Sequence, residues 1–181
     1  HASNTAELVF DSVAVPAANL VGELHRGFVN TLQVLEGGRV AMAAMAVGIA
    51  QAALDQALAY MKQRRAFGKT LAEFNGLQGM IADIGTEVEA ARLLTLRAAA
   101  LKDAGRPVKP AASMAKVFAS EVAMKAASKA LQIHGGAGYI TEFPIERIFR
   151  DAKLTEIGEG TSETQRMVIA RDILGFRQER T

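Results

Sequence analysis

Apolar residues recur at helical spacing along most of this 181-residue chain. In the longest such stretch, which lacks proline, Ala50, Leu54, Leu58 and Met61 are three or four positions apart and share one face. This periodicity is typical of amphipathic helices. The pattern predicts five helices, over residues 28–63, 71–103, 110–133, 144–154 and 162–174. Joined by short turns, they imply an all-α fold, an up-down-up-down four-helix bundle with extra short helices.

The segment over residues 6–15 has a different pattern. It is rich in β-branched residues, partly alternates between apolar and polar positions, and is stopped by Pro16. We therefore predict a short β-strand before the bundle. Because one strand cannot form a sheet by itself, its partners must lie in another segment or another chain.

Composition narrows the class of protein. Half of the residues are apolar and only 6% are aromatic, which suits closely packed helices. The absence of cysteine excludes disulfides and thiolate metal sites, and the three histidines are too scattered to predict any metal site. The net charge of +2 comes from interspersed charges, so we expect no nucleic-acid binding.

Neither a membrane span nor a signal peptide is predicted. The longest apolar stretch, residues 40–50, is too short and too rich in alanine to cross a bilayer. The chain begins with His1 and Ala2 rather than methionine, which suggests a tag remnant or an excised fragment.

A lone carboxylate between two glycines marks the start of the last predicted helix. Glu159 lies between Gly158 and Gly160, and Ser162 with Gln165 three residues later matches a capping box. Glycines permit close approach of the backbone to a ligand, so Glu159 would suit a positioned general base. On this segment alone, an acidic residue that complements the helix dipole is the favoured interpretation.

A second set of candidates surrounds the breaks between helices. Arg64 and Phe67 lie in the turn before the second helix, Asn75 near its start, and Gln132 and Gly136 at the end of the third. Taken singly, a glycine-rich helix end is more often a C-cap than a phosphate cradle. Together, a guanidinium, an aromatic ring, amides and backbone donors suit a nucleotide-sized ligand with a pyrophosphate.

Five segments in order resemble the C-terminal half of the acyl-CoA dehydrogenases. They are FDSVAVP at 10–16, RRAFGK at 64–69, LQIHGGAGY at 131–139, RDAK at 150–153 and EGTSETQR at 159–166. The resemblance implies that residues 1–24 are the tail of a middle β-domain and residues 25–181 the C-terminal helical bundle. The N-terminal helical domain and most of the β-domain would lie outside this chain.

The resemblance also implies roles for individual residues. Glu159 matches the catalytic base that removes the α-proton of an acyl-CoA thioester, and its backbone N–H would polarise the thioester carbonyl. The positions matched to FAD binding are Arg64, Phe67, Asn75, Gln132, Gly135, Gly136, Thr161 and Glu163, of which Arg64, Phe67, Gln132 and Gly136 would reach the flavin of a neighbouring subunit. The positions matched to acyl-CoA binding are Glu36, Arg39 and Gly160.

Departures from the family pattern refine this expectation. In some branches the base stands one residue before the arginine matched by Arg39, but Gly38 occupies that position here and cannot act as a base. Gly158 replaces a frequent tyrosine, which implies space for a branched or bulky acyl group. Ala66 and Asn75 also differ from the common residues, which weakens those two contacts.

By the same resemblance, the expected assembly is a homotetramer or dimer, with an electron-transferring flavoprotein as electron acceptor. The expected location is the cytoplasm of a bacterium or the mitochondrial matrix of a eukaryote. Two alternatives remain: a flavin-dependent oxidase or monooxygenase on the same scaffold, and an oligomerising bundle that is inactive alone. Oxygen-using members often lack the glutamate, so Glu159 favours dehydrogenation.

Overall fold

Five α-helices make up most of residues 3–176, the part of the chain that the computed structural model describes. They are α1 (Gly27–Gln63), α2 (Asn75–Asp103), α3 (Lys109–His134), α4 (Ile145–Ile157) and α5 (Ser162–Ile173). Short 3-10 helices occupy Ala17–Asn19, Leu71–Glu73 and Gly135–Tyr139. The predicted all-α bundle is therefore confirmed, with five helices close to their predicted positions.

The largest boundary difference is at the start of α2. Residues predicted as its first turn form a separate 3-10 turn, closed by a capping box between Thr70 and Glu73. The Thr70 N–H donates to Glu73 Oε1 at 2.7 Å. Phe74 then adopts an extended conformation, which separates this turn from the helix that begins at Asn75.

Alanine fills the contact between α1 and α3, the most extensive helix contact in the bundle. The C-terminal ends of these helices meet, because the Tyr60 and His134 rings stack with centroids 4.3 Å apart. The fully buried alanines on the two helices are Ala43, Ala46, Ala50, Ala53, Ala57, Ala112, Ala115, Ala119, Ala123, Ala126, Ala127 and Ala130. Since a methyl group is the whole side chain, the two helices can pack closely.

Helix α1 shows why hydropathy alone does not distinguish a membrane-spanning helix from a core helix of a bundle. By length and composition, α1 is apolar enough to cross a membrane, and within residues 3–176 no other helix meets that test. Its alanine face packs against α3, however, which is the arrangement of a bundle core helix. The expectation of no membrane span stays a prediction.

No strand forms over residues 6–15, so the prediction of a strand at that position is wrong for this chain. The segment is exposed, as the 77% exposure of Phe10 shows, and it joins no sheet in the described residues. A strand needs a hydrogen-bonded partner, and none is present. Within residues 3–176 the strand pairing consists of Arg65–Ala66 with Lys69–Thr70, an antiparallel hairpin whose tip is Phe67 and Gly68.

The predicted domain division at residues 1–24 and 25–181 stays a prediction. Its outer ends, residues 1–2 and 177–181, lie outside the described residues, as does the suggested tag remnant at His1 and Ala2.

Candidate functional site

Glu159 occupies a sharp turn between α4 and α5. Its φ of 57° lies in the left-handed region, and Gly160 follows with a φ of 87°. A left-handed conformation is uncommon for a residue that carries a Cβ. Such strain persists where surrounding contacts hold it, and it is concentrated at functional sites.

The start of α5 differs from the predicted capping box. Thr161 is the N-cap residue, and its hydroxyl accepts a hydrogen bond from the Thr164 N–H at 3.4 Å. Ser162 is already helical and so cannot supply the extended conformation that an N-cap needs. The predicted partner Gln165 instead donates from Nε2 to the carbonyl oxygens of Glu159 and Gly160, each at 3.0 Å.

The Glu159 side chain packs against α1. A Cβ added to Gly38 would lie 2.4 Å from Glu159 Oε2, so only glycine leaves room for the carboxylate there. Oε2 is buried and has no hydrogen-bond partner among residues 3–176. A buried carboxylate oxygen without a partner is costly, which indicates that something outside these residues completes the site.

Arg39 lies beside Gly38 and shares this property. Its side chain is only 7% exposed, and its Nε and Nη1 atoms have no hydrogen-bond partner in the described residues. No ion pair within 4 Å joins it to Glu159 or to any other described carboxylate. Glu36, almost one turn earlier on α1, is half-buried. Arg39 and Glu159 thus each have buried polar atoms without a hydrogen-bond partner among the described residues.

Gly158 directly precedes Glu159 and also lies close to α1. A Cβ added to it would lie 2.8 Å from the terminal methyl of Met42. The space that a larger residue at this position would occupy is therefore taken by a flexible thioether side chain. The space available to a bulky acyl group would therefore depend on Met42 as well as on Gly158. The predicted tolerance of such groups stays a prediction.

Glu163 is exposed in the first turn of α5. Hydrogen bonds from its own backbone N–H and from the Thr161 hydroxyl lower the pKa of its carboxyl group. This is the stabilisation that an acidic residue gains at a helix N-terminus. The predicted cofactor role of Glu163 stays a prediction.

A second group of predicted residues lies at the far end of α1. Arg64, Gly135 and Gly136 line one surface concavity, together with Tyr60 and His134. The glycine-rich turn ends α3 as predicted, with Gly135 at a φ of 57°.

Three further predicted residues lie outside the lining of that concavity. Gln132 is exposed in the last turn of α3, and Asn75 is exposed as the first residue of α2. Phe67 is 95% exposed, at the edge of an apolar groove that also includes Phe74 and Met80. A fully exposed aromatic ring beside an apolar groove is the kind of surface that another molecule covers.

The predicted residues thus fall into two groups. We call Glu36, Arg39, Glu159, Gly160, Thr161 and Glu163 the base end, and Arg64, Phe67, Asn75, Gln132, Gly135 and Gly136 the distal end. Arg39 and Arg64 are separated by 25 residues of one continuous helix, which is roughly 37 Å at 1.5 Å per residue. The predicted site residues therefore lie at two separate places on one chain.

Two residues beneath the turn of Glu159 were not predicted as site residues. Lys116 and Gln165 are fully buried and hydrogen-bond to the backbone of the turn that carries Glu159. Lys116 had a detectable signal, because it falls on the same helical face as Ala112, Ala115 and Ala119. Within residues 3–176, no cluster of three or more His, Asp or Glu side chains could hold a metal ion.

Comparison with known proteins agrees with the motifs. A family model described as "Acyl-CoA dehydrogenase, C-terminal domain" matches residues 25–174. The chain is 55% identical over 172 residues to the probable acyl-CoA dehydrogenase YngJ of Bacillus subtilis (strain 168), covering 95% of this chain and 45% of that protein. It is 45% identical over 170 residues to the caffeyl-CoA reductase-Etf complex subunit CarC of Acetobacterium woodii, covering 94% and 45% respectively.

A solved structure shows the same likeness in three dimensions. The butyryl-CoA dehydrogenase of Megasphaera elsdenii superposes with a TM-score of 0.89 at 47% identity, covering 92% of this chain and 43% of that one. The chain thus spans less than half the length of the relatives it matches. Because the family match extends over most of its residues, the chain belongs to the acyl-CoA dehydrogenase family, and residues 25–174 are its C-terminal domain.

Proposed function

We propose that the protein containing this chain is an FAD-dependent acyl-CoA dehydrogenase in which Glu159 is the catalytic base. It would convert an acyl-CoA thioester into the trans-2-enoyl-CoA. The observation that carries this proposal is the buried, unpartnered Oε2 of Glu159, held against Gly38 in a strained turn.

The state of this carboxylate suits proton abstraction. A proton α to a thioester is only weakly acidic, so the base must be close to it and shielded from water. Oε2 is withdrawn from solvent and makes no hydrogen bond that would have to break before it accepts a proton. The turn that holds it is also rigid, since buried side chains bind its backbone on the inner side.

The chemical step follows from these positions. Glu159 would remove the α-proton, the electron pair of that C–H bond would form the α,β double bond, and the β-hydrogen would leave as hydride. Bound FAD would supply the acceptor for that hydride. In the described residues the Glu159 N–H donates no backbone hydrogen bond, which leaves it available to the thioester oxygen as negative charge develops there.

The unpartnered guanidinium of Arg39 suits the substrate side of the same site. Its buried Nε and Nη1 donors lie on α1 next to the glycine that contacts the base. Hydrogen bonds from acyl-CoA or from the missing part of the protein would satisfy them. The proposed substrate-binding roles of Glu36 and Gly160 rest on their positions beside Arg39 and Glu159.

The distal end fits the polar and aromatic parts of FAD. Arg64 forms no ion pair with any described residue, so its guanidinium is available to a phosphate. Gly135 and Gly136 offer backbone close to it, and Phe67 offers an exposed ring. At the base end, Thr161 would contact the same kind of cofactor.

The separation of the two ends supports a shared site. Because roughly 37 Å of helix lie between Arg39 and Arg64, we propose that the cofactor beside Glu159 of one subunit reaches the distal end of another. This arrangement needs a homo-oligomer, a dimer or tetramer. An electron-transferring flavoprotein is the proposed electron acceptor, supported by the likeness to a subunit named for an Etf complex. Cytoplasmic or mitochondrial location stays a prediction.

The direct test is anaerobic titration of the full-length, FAD-loaded protein with straight-chain and branched acyl-CoAs, followed by flavin absorbance. We expect bleaching by a subset of them. Glu159→Gln should slow bleaching by about 10³-fold, within the range for loss of a general base, while FAD content stays unchanged. Glu89→Gln is the matched control, because Glu89 is an exposed carboxylate on α2 paired with Arg92.

Each contrary outcome has a specific meaning. Absence of bleaching with every acyl-CoA despite bound FAD would contradict dehydrogenation of thioesters. Peroxide release during turnover would favour the oxidase or monooxygenase alternative. Wild-type rates in Glu159→Gln would remove Glu159 as the base. Since the chain supplies only half-sites, we expect no turnover from it alone.

A further inference from the structure

Lys116 is the most unusual buried residue of the bundle. Its side chain has 0% exposure, in the middle of the alanine face of α3. Lysine is almost never fully buried unless its charge is compensated. Here the ammonium forms no ion pair within 4 Å of any described carboxylate. Its partners are two backbone carbonyl oxygens.

The two residues that carry those carbonyls lie on either side of Glu159 in the sequence. Lys116 Nζ donates to the carbonyl of Glu156 at 3.1 Å and to that of Gly160 at 2.8 Å. Glu156 belongs to the last turn of α4, where carbonyls lack helical partners and the helix dipole favours a cation. One ammonium group therefore ties the end of α4 to the residue that follows Glu159.

Gln165 holds the same turn from the other side. It is also fully buried, and its Nε2 donates to the carbonyls of Glu159 and Gly160, both at 3.0 Å. The two side chains together make four hydrogen bonds to a segment of five residues. With the Glu159 carbonyl drawn towards α5, its side chain meets Gly38 on α1.

We propose that Lys116 and Gln165 are positioning residues that hold the left-handed turn of Glu159, and thereby place its carboxylate for proton abstraction. This inference rests on the proposed role of Glu159 as the base. Neither side chain is assigned contact with substrate or cofactor. They act through the backbone on either side of the base, so their removal should impair the chemical step and leave ligand binding intact.

The burial of Lys116 indicates a purpose beyond packing. Burial lowers the pKa of its ammonium group, while carboxylates on α3, α4 and α5 oppose that shift. An apolar side chain would fill the same space without this desolvation. The charge gives strong, directed hydrogen bonds to the carbonyls of Glu156 and Gly160, the second of which also accepts a hydrogen bond from Gln165.

The test uses Lys116→Met and Gln165→Met in the full-length, FAD-loaded protein, with an acyl-CoA that bleaches the wild-type flavin. Both changes keep the approximate length of the side chain and remove the donor. We expect flavin reduction to slow by about 10- to 100-fold, as small misplacement of a reacting group does. FAD content and the dissociation constant of the acyl-CoA should stay unchanged. An α-deuterated substrate should show an undiminished or larger isotope effect, because proton abstraction becomes more strongly rate-limiting.

Lys125→Met is the matched control. Lys125 lies on the same helix but is exposed and paired with Glu87. Its replacement should leave the reduction rate and the isotope effect unchanged. If Lys116→Met fails to fold, Gln165→Met tests the same prediction without removing a buried charge.

A double-mutant cycle separates positioning from general support of the fold. If Lys116 acts through Glu159, adding Lys116→Met to Glu159→Gln should slow the residual rate by less than about twofold, because coupled residues are not additive. An equal loss in both backgrounds, or a wild-type rate in Lys116→Met and Gln165→Met, would overturn the inference. A wild-type rate in Glu159→Gln would instead overturn the proposed base itself.

Discussion

The base end and the distal end of this bundle are built in opposite ways. At the base end, Glu159 and Arg39 place polar atoms in buried positions and leave them without partners. At the distal end, Arg64 and Phe67 stand exposed on a turn, beside a glycine-rich helix end. This difference suits the proposed roles, because a catalytic carboxylate would benefit from exclusion of water, whereas residues that bind the cofactor of another subunit would have to be exposed.

The helices that connect the base end to the distal end also contribute to this difference. Helices α1 and α3 pack against each other between the two ends, and the alanines at their contact are buried. A close-packed interior has low compressibility. Close packing of this kind holds the base end and the distal end apart, which suits the proposed site completed by a second copy of the chain.

The strongest way to break the base end without unfolding it is Gly38→Ala. The new Cβ would lie 2.4 Å from Glu159 Oε2 and displace the carboxylate. We expect flavin reduction in the full-length protein to slow by about 100-fold, since small misplacements are costly. Thermal stability should stay the same or rise, because alanine is more favourable than glycine in a helix interior by about 1 kcal/mol.

Gly48→Ala is the control for that experiment. Gly48 lies on the same helix, and nothing stands within 4 Å of an added Cβ. It should raise stability similarly and leave the rate unchanged. A wild-type rate in Gly38→Ala would show that the carboxylate does not work from the position against α1.

Subunit complementation tests whether the two ends belong to different copies. The Glu159→Gln variant has a defective base end, and a second variant with Arg64→Ala and Phe67→Ala has a defective distal end. In a mixed dimer, one of the two sites combines both intact ends, so activity should recover to about half of the wild-type value. The measurement is turnover of oligomers co-purified through two different tags. Activity no higher than that of the parent variants would indicate that the two ends of a single chain contribute to the same site.

A milder change tests the distal end alone. Phe67→Ala removes a ring that is 95% exposed, so the melting temperature should not change. We expect FAD affinity of the full-length protein to fall by about tenfold, the scale of one aromatic contact. Fluorescence of released FAD measures this. Leu93→Ala, an exposed change on α2, is the control, and equal FAD retention in both would contradict a cofactor role for Phe67.

The smallest expected effect concerns substrate shape at the base end. Gly158→Tyr should displace the Met42 methyl and narrow the space beside Glu159. We expect the preference for straight over α-methyl acyl-CoA to rise by about fivefold, since pocket shape discriminates single methyl groups only modestly. Relative rates of flavin bleaching measure it. Gly158→Ala should give a smaller change in the same direction, and an unaltered preference in both variants would refute the idea.

The secondary structure could be predicted from the sequence where local signals are strong. Proline-free apolar periodicity located α1, and the glycine run located the end of α3. The capping box at Ser162 was a wrong prediction, because Thr161 competes for the N-cap and Gln165 finds better acceptors behind it. The strand over residues 6–15 also failed, since strand formation depends on a partner that these residues do not have.

Motifs along the chain were sufficient to indicate the family and to nominate Glu159, because the order of short segments is a one-dimensional property. They could not show that Gly38 makes room for the carboxylate, or that Lys116 ties down the turn from 43 positions away in the sequence. Sequence by itself determined the helices and the candidate residues. Only the tertiary structure divided those residues into two ends and left the charged atoms of one end buried and unpaired. Helix packing, which acts between distant positions, decides both the separation and the burial.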